Sequence, residues 1–175
     1  YDIFGTLGAG GVLVLPDSDR LRDPSHWDMM IRERGVTVWN SVPALMNMLA
    51  EYTQGEVEYE TLRLVMLSGD WIPLSLPEKI RKMGKDIEVI SLGGATEASI
   101  WSILYPIKEV EEGWRSIPYG ISMENQRVYV MNERLEVSPV GIVGELYIGG
   151  IGVAKGYWDD EEKTAQSFIV HPVTG

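Results

Sequence analysis

Short apolar runs and longer stretches of helical periodicity take turns along the chain from Tyr1 to Trp101. Residues 11–16, Gly-Val-Leu-Val-Leu-Pro, form an apolar run closed by proline and predict a buried strand. Asp23, Pro24 and Ser25 supply helix-start chemistry, and Trp27, Met30 and Ile31 follow at helical spacing until Gly35. A strand is expected next at 36–39. A second helix opens at Pro43, presents Leu45, Met46, Met48 and Leu49 along its length, and fades over 52–55. A strand at 62–67, a helix at 76–83 stopped by Gly84, and a strand at 87–92 complete the rhythm. Strand and helix alternating in this way predict an α/β fold, a parallel sheet covered by helices.

Beyond Trp101 the pattern changes. Strands are expected at 102–107, 127–131 and 144–148, separated by turn-rich stretches such as Glu112-Gly113 and Ser138-Pro139, with no long helical pattern between them. The chain is therefore divided into an α/β subdomain over 1–105 and a β-rich subdomain over 106–175. It begins inside an apolar run without methionine and closes on Val173-Thr174-Gly175 with no finishing element, so it is expected to be a segment cut at both ends.

In an open parallel sheet, ligands bind outside the carboxyl ends of the strands, which directs attention to Asn40, to Ser68 with Gly69, and to 92–101. The stretch 91–101 reads Ser-Leu-Gly-Gly-Ala-Thr-Glu-Ala-Ser-Ile-Trp. Gly93 and Gly94 let backbone approach a ligand with no Cβ in the way. Thr96 and Glu97 then bring a hydroxyl and a carboxylate, the oxygen donors that a phosphate and its magnesium require. On these residues alone, a Gly-rich connection whose Thr and Glu cap a helix is an equal reading. Asn40 follows the apolar run 36–39, where a polar amide needs partners.

A second stretch decides between them. Residues 144–158, Gly-Glu-Leu-Tyr-Ile-Gly-Gly-Ile-Gly-Val-Ala-Lys-Gly-Tyr-Trp, resemble the glycine-rich core motif of adenylate-forming enzymes, and Gly93-Gly94-Ala95-Thr96-Glu97 is similar to that superfamily's Gly-Pro-Thr-Glu type motif, with Ala95 in place of proline. The resemblance runs nearly the whole length and is most nearly that of adenylation domains of non-ribosomal peptide synthetases. It implies an adenylate-forming ligase: a carboxylate and ATP give an acyl adenylate and pyrophosphate, and the acyl group moves to the phosphopantetheine thiol of a carrier protein. By the same resemblance, Thr96 bonds a phosphate oxygen and Glu97 holds magnesium. Ser91, Leu92, Gly93, Gly94 and Ala95 pass the nucleotide, with Gly69 on the other flank of adenine; Gly93 stands where the family often has a stacking aromatic residue. Gly149 to Gly156 are expected to shape a tight turn, with no phosphate contact from Lys155.

Aligned on the family's motifs, the amino-acid pocket falls on Tyr1, Asn40, Met66, Ser68, Leu92, Ile100 and Trp101. That order is similar to the pocket of cysteine-activating domains in thiazoline-forming, siderophore-building synthetases. It implies L-cysteine and ATP as substrates, with carrier, cyclisation or condensation domains of the same synthetase as partners. Physical chemistry agrees with a small guest. The large side chains fill most of the volume, and the polar groups left are Asn40, Ser68 and the Tyr1 hydroxyl. A neutral thiol, with a reference pKa of about 8.5, sits well against methionine sulfur and aromatic faces. A buried serine hydroxyl left without a hydrogen bond costs about 1–3 kcal/mol. Serine or threonine activation, an acyl-CoA synthetase-like ligase, and a non-catalytic binding module of the same fold are the alternatives. The family's phosphate loop and ammonium-binding aspartate would precede Tyr1, and its ribose-binding aspartate and mobile lysine would follow Gly175. The segment alone is expected to be inactive.

Composition narrows the picture further. At 175 residues and 45% hydrophobic content the chain can bury a sizeable core. Acidic side chains outnumber basic ones 26 to 15, a net charge of −11 that argues against a nucleic-acid partner. The acidic runs 109–112 and 159–162 are expected to be solvated. No apolar run of about 18 residues predicts a membrane span, and the absence of cysteine removes disulfides and thiolate metal sites. Cytoplasmic residence fits these features. His26 and His171 stand in no ligand spacing and are expected at the surface or as caps.

Overall fold

The computed structural model describes residues 1–171, so the closing stretch read above as an unfinished end lies outside it. The chain divides into two compact units. One comprises Tyr1–Leu92 with Tyr105–Tyr119, the other Gly93–Leu104 with the residues from Gly120 on.

In the first unit, three parallel strands, β1 (Val38–Ser41), β2 (Leu64–Ser68) and β3 (Glu88–Gly93), lie side by side in chain order. Four helices accompany them: α1 (Phe4–Gly8), α2 (Pro24–Arg34), α3 (Pro43–Thr53) and α4 (Leu76–Arg81). Local chemistry sets the bounds of α2. The Asp23 carboxylate accepts from the N–H groups of Ser25, at 2.9 Å, and His26, at 3.3 Å, which would otherwise lack helical partners. Arg20 grips the other oxygen of Asp23 at 2.6 Å. The Ser25 and Arg20 hydrogen bonds hold the Asp23 carboxyl well below the usual carboxylate range. Gly35 ends the helix in the left-handed conformation at φ 62°. Proline opens α3, whose C-cap is Gln54 at φ 51°.

Successive strand residues face opposite sides of a sheet, and the register carries this through the three strands. Trp39, Val65 and Val89 fall in one row, and Ser41, Leu67 and Ser91 in another of the same face. Trp27 and Ile31 of α2, Met46 and Leu49 of α3, and Leu76 and Ile80 of α4 join Val65, Leu67 and Val89 in one buried cluster. Full burial of a large apolar side chain contributes about 1.5–3 kcal/mol, so this cluster holds the unit together. Trp27 meets Trp39 edge to face, with ring centroids 5.6 Å apart. The other face carries Asn40 beside Met66, Met66 beside Ile90, and Ser68 beside Leu92.

The strand β4 (Ile103–Ile107) starts in the second unit, where its Ile103 and Leu104 pair antiparallel with the short β5 (Ile121–Ser122). A two-stranded antiparallel ribbon follows, β6 (Gln126–Met131) with β7 (Glu145–Gly150). The closing helix α5 (Glu161–Ser167) is capped by Asp160, which accepts from the Lys163 N–H at 2.9 Å. No helix among the described residues is long and apolar enough to cross a membrane.

Parallel strands flanked by helices followed by β-rich structure is the expected fold class, and the differences from expectation are informative. Residues 11–16 form no strand: Val12 is 83% exposed, and no strand of the described residues pairs with the run. An apolar run becomes a strand only where a ladder partner receives it. The strands expected at 36–39, 62–67 and 87–92 end later, at Ser41, Ser68 and Gly93. Asn40 consequently lies within β1, because ladder hydrogen bonds outweigh its weak strand preference. His26, expected at the surface or as a cap, is 3% exposed, and its Nε2 accepts from the Asp17 N–H at 3.2 Å. The acidic run 159–162 is exposed as expected, and it also forms the cap and first turn of α5, where negative charge suits the helix dipole.

Candidate functional site

The loop after β3 folds back on itself. Gly94 is required there, since a Cβ would collide with the Ile100 carbonyl oxygen and come within 2.8 Å of the Ser102 nitrogen. Thr96–Ala98 form a single 3-10 turn, and both Ala98 and Ile100 donate N–H bonds to the Ala95 carbonyl, at 2.9 and 3.1 Å. Ser99 and Ile100 then take positive φ, 62° and 71°. For a β-branched residue this is unusual backbone, with strain on the order of 1–3 kcal/mol that the surroundings must offset. The offsetting bonds are present: Ser102 N–H donates to the Gly93 carbonyl at 2.8 Å, and the buried Ser102 hydroxyl donates to the Ala98 carbonyl at 3.3 Å. The loop leaves Thr96 exposed and Glu97 half-buried.

The glycine-rich segment after β7 buttresses this loop. Ala154 N–H donates to the Glu97 carbonyl and the Ser99 hydroxyl to the Gly152 carbonyl, each at 2.7 Å. Tyr157 donates its hydroxyl to Glu97 Oε1. Lys155 is exposed. Tyr157 is itself held by the Phe168 ring, edge to face at 5.6 Å, and by Lys163 Nζ 4.3 Å above its ring. The Tyr157 hydrogen bond, followed by Glu97's own backbone N–H and the Lys163 charge, lowers the Glu97 carboxyl from the usual range despite its partial burial. The same bond pushes the Tyr157 phenol up. At neutral pH the pair is thus an ionised carboxylate and a protonated phenol.

In the first unit, four residues read as pocket-lining share the sheet face that carries no part of the helix-covered core. The register sets Asn40 next to Met66 and Ser68 next to Leu92. Met66 and Leu92 are buried at 7% and 8% exposure, while Asn40 and Ser68 are half-buried. Asn40 Nδ2 donates to Asp2 Oδ1 at 2.8 Å, and its buried Oδ1 has no hydrogen-bond partner among the described residues. Gly69 follows β2 at φ 85°. Ser91 registers with Leu67, so its side chain belongs to the helix-covered face. Tyr1, 60% exposed, accepts the Gly5 N–H at 2.8 Å through its carbonyl. Ile100, 58% exposed, and the half-buried Trp101 belong to the second unit, with Thr96 and Glu97.

Two residues with evident bearing on these groups escaped the sequence reading. Tyr157 stood within a recognised motif, but a contact spanning 60 residues leaves no local signature. Asp2 stood beside Tyr1 without any spacing that ties it to Asn40.

Among the described residues no cluster of three or more His, Cys, Asp or Glu side chains could hold a metal. Glu97 offers one ionised carboxylate, which fits magnesium, a cation usually bound by one or two carboxylates with substrate phosphates and water completing its shell.

A parallel sheet with a Gly-Gly-Ala-Thr-Glu loop clamped by a second glycine-rich segment defines an adenylate-forming class of protein. The family model for AMP-binding enzymes matches residues 1–158, and the chain belongs to that family. It is 54% identical to bacitracin synthase 1 of Bacillus licheniformis, covering 100% of this chain and 3% of that protein. It is 45% identical to pyochelin synthetase PchF of Pseudomonas aeruginosa, covering 98% of this chain and 10% of that protein. The crystal structure of the non-ribosomal peptide synthetase FmoA3 in its AMPPNP-bound form superposes with a TM-score of 0.95 at 40% identity, over 100% of this chain and 19% of that one. The chain thus spans between 3% and 19% of the length of these relatives.

Proposed function

We propose that this segment is part of a non-ribosomal peptide synthetase adenylation domain that activates L-cysteine with ATP and passes the cysteinyl group to the phosphopantetheine thiol of a carrier protein. The observation that carries the amino-acid part is the register, which sets Asn40, Met66, Ser68 and Leu92 on one sheet face free of the helical core. Met66 sulfur and Leu92 offer a soft apolar surface, and Asn40 and Ser68 offer few polar groups, a balance that suits a thiol better than a charged or bulky side chain. Tyr1 of the same unit adds to the lining in this reading. Assembly of a thiazoline-containing siderophore, by a synthetase with cyclisation or condensation domains in the cytoplasm, is the corresponding biological setting.

In the activation step an oxygen of the cysteine carboxylate attacks the α-phosphorus of ATP, and the bond to the bridging oxygen of pyrophosphate breaks. Catalysis of such a step is chiefly positioning and charge neutralisation. The exposed Thr96 hydroxyl donates to a phosphate oxygen. Glu97 holds magnesium, which when bound neutralises phosphate charge. Tyr157 keeps the Glu97 carboxylate in one orientation. The backbone of Gly93, Gly94 and Ala95, in the same unit as Thr96 and Glu97, lies along the nucleotide.

The test is amino-acid-dependent ATP–pyrophosphate exchange by the full-length synthetase. Cysteine is expected to drive exchange with kcat/KM at least about tenfold above serine, threonine and 3-mercaptopropionate, which lacks the amine. Exchange driven by serine, threonine or a bulky amino acid in preference to cysteine would overturn the cysteine assignment, and exchange driven equally by the amine-free acid would favour the acyl-CoA synthetase-like alternative.

A further inference from the structure

The Asn40 side chain has an orientation that chemistry fixes. Its Nδ2 is 2.8 Å from Asp2 Oδ1, and an ionised carboxylate only accepts hydrogen bonds, so the amide must turn its NH2 group to Asp2 and its carbonyl away. That carbonyl oxygen, Oδ1, is buried and has no partner among the described residues. Buried acceptors are normally satisfied, and one left open in a well-packed sheet marks a place where a donor is to arrive. Asn40 also shares its sheet face and row with Met66, on the side away from the helical core. Asp2 is exposed and joined to the site by this one side-chain bond.

We infer that Asp2 is a positioning residue for substrate specificity: by locking the Asn40 amide with its carbonyl towards the amino-acid side chain, it selects substrates whose β-carbon carries a hydrogen-bond donor, a thiol or a hydroxyl. The inference rests on the amino-acid-binding reading above and deepens it. Discrimination divides into two parts. The Asn40 carbonyl rejects side chains with no donor, because they leave it unpaired. The soft surface of Met66 and Leu92 chooses thiol over hydroxyl. Without the Asp2 carboxylate, the amide can rotate by half a turn and present NH2 instead, and the first part is lost.

The probe is L-2-aminobutyrate, which replaces the thiol of cysteine by a methyl group of similar size and has no donor. In the full-length synthetase, wild type is expected to favour cysteine over 2-aminobutyrate by at least about tenfold in kcat/KM, a modest factor because S–H is a weak donor. Asp2→Ala is expected to bring that ratio to within about threefold of unity through a raised KM for cysteine, and Asp2→Glu, which restores an acceptor-only partner, to recover most of it. A merely structural role would lower exchange with both amino acids alike and leave the ratio standing. An unchanged ratio in Asp2→Ala overturns the inference while leaving cysteine activation intact. Wild-type protein that exchanges with no amino acid overturns the amino-acid reading itself, and this inference with it.

Discussion

The sheet face of the first unit and the loop of the second position their chemistry by different means. Asn40, Met66, Ser68 and Leu92 stand where strand register puts them, each fixed by backbone pairing that any side chain at those positions would inherit. Thr96 and Glu97 stand on a turn that needs Gly94, two left-handed residues, a hydrogen bond to the Gly152 carbonyl and hydrogen bonds from Ala154 and Tyr157. The first arrangement tolerates change in its side chains and so suits a surface that sets specificity. The second does not, which suits the proposed role of Thr96 and Glu97 in meeting phosphate and metal in one geometry.

Substitutions should separate the two regions, beginning with the loop. Glu97→Gln in the full-length synthetase is expected to lower pyrophosphate exchange by a hundredfold or more, roughly the effect of removing one key electrostatic group from an active site. The loss should be similar for every amino acid tested. Gly94→Ala places a methyl group against the Ile100 carbonyl and is expected to destabilise the domain by about 2–3 kcal/mol, read from denaturant unfolding. Gly69→Ala, whose Cβ would lie 3.5 Å from Val42, should cost only about 1 kcal/mol, chiefly for its left-handed backbone.

Tyr157→Phe removes the hydroxyl that holds Glu97 and keeps the ring against Phe168. Activity is expected to fall about tenfold with a raised requirement for magnesium, while the ranking of amino acids is unchanged. Met66→Leu on the sheet face should do the reverse, shifting the cysteine-to-serine ratio by only about threefold with little loss of total turnover. A Met66 variant that abolishes exchange with every substrate would erase the distinction between the regions.

The smallest expected effect concerns pH. Asp23 and Glu97 both have carboxyl groups held below their ordinary range in the folded chain. A depressed carboxyl contributes stability that is present above its unfolded-state value and is lost as pH falls through the folded one. Stability should therefore decline on acidification from about pH 4 downwards, and Asp23→Asn should flatten part of that decline in acid unfolding curves.

Much of this was legible where the signals are local. The start of α2 was written in Asp23, Pro24 and Ser25 and its end in Gly35, and Pro43 marked α3. Strand ends were less legible, because Asn40, Ser68 and Gly93 are poor strand formers that the parallel ladder nonetheless recruits. The short helix α1 was hidden by its two glycines, and α5 by an acidic run that reads equally as solvated surface. The run 11–16 was misread for the opposite reason, since its apolar residues look like a strand whether or not a partner edge exists. The candidate loop was visible through Gly94, Thr96 and Glu97, whereas the Tyr157–Glu97 and Asp2–Asn40 bonds join residues 60 and 38 positions apart, beyond any local pattern.

The most direct test of the central claim is the mass of the group carried by the synthetase. Full-length protein with its carrier domain phosphopantetheinylated would be incubated with magnesium, ATP and all the common amino acids at equal concentration, and the thioester on the phosphopantetheine arm read by mass spectrometry. The account predicts a cysteinyl thioester, formed only when ATP is present. A seryl or any other aminoacyl thioester in its place, or no ATP-dependent loading at all, would contradict it.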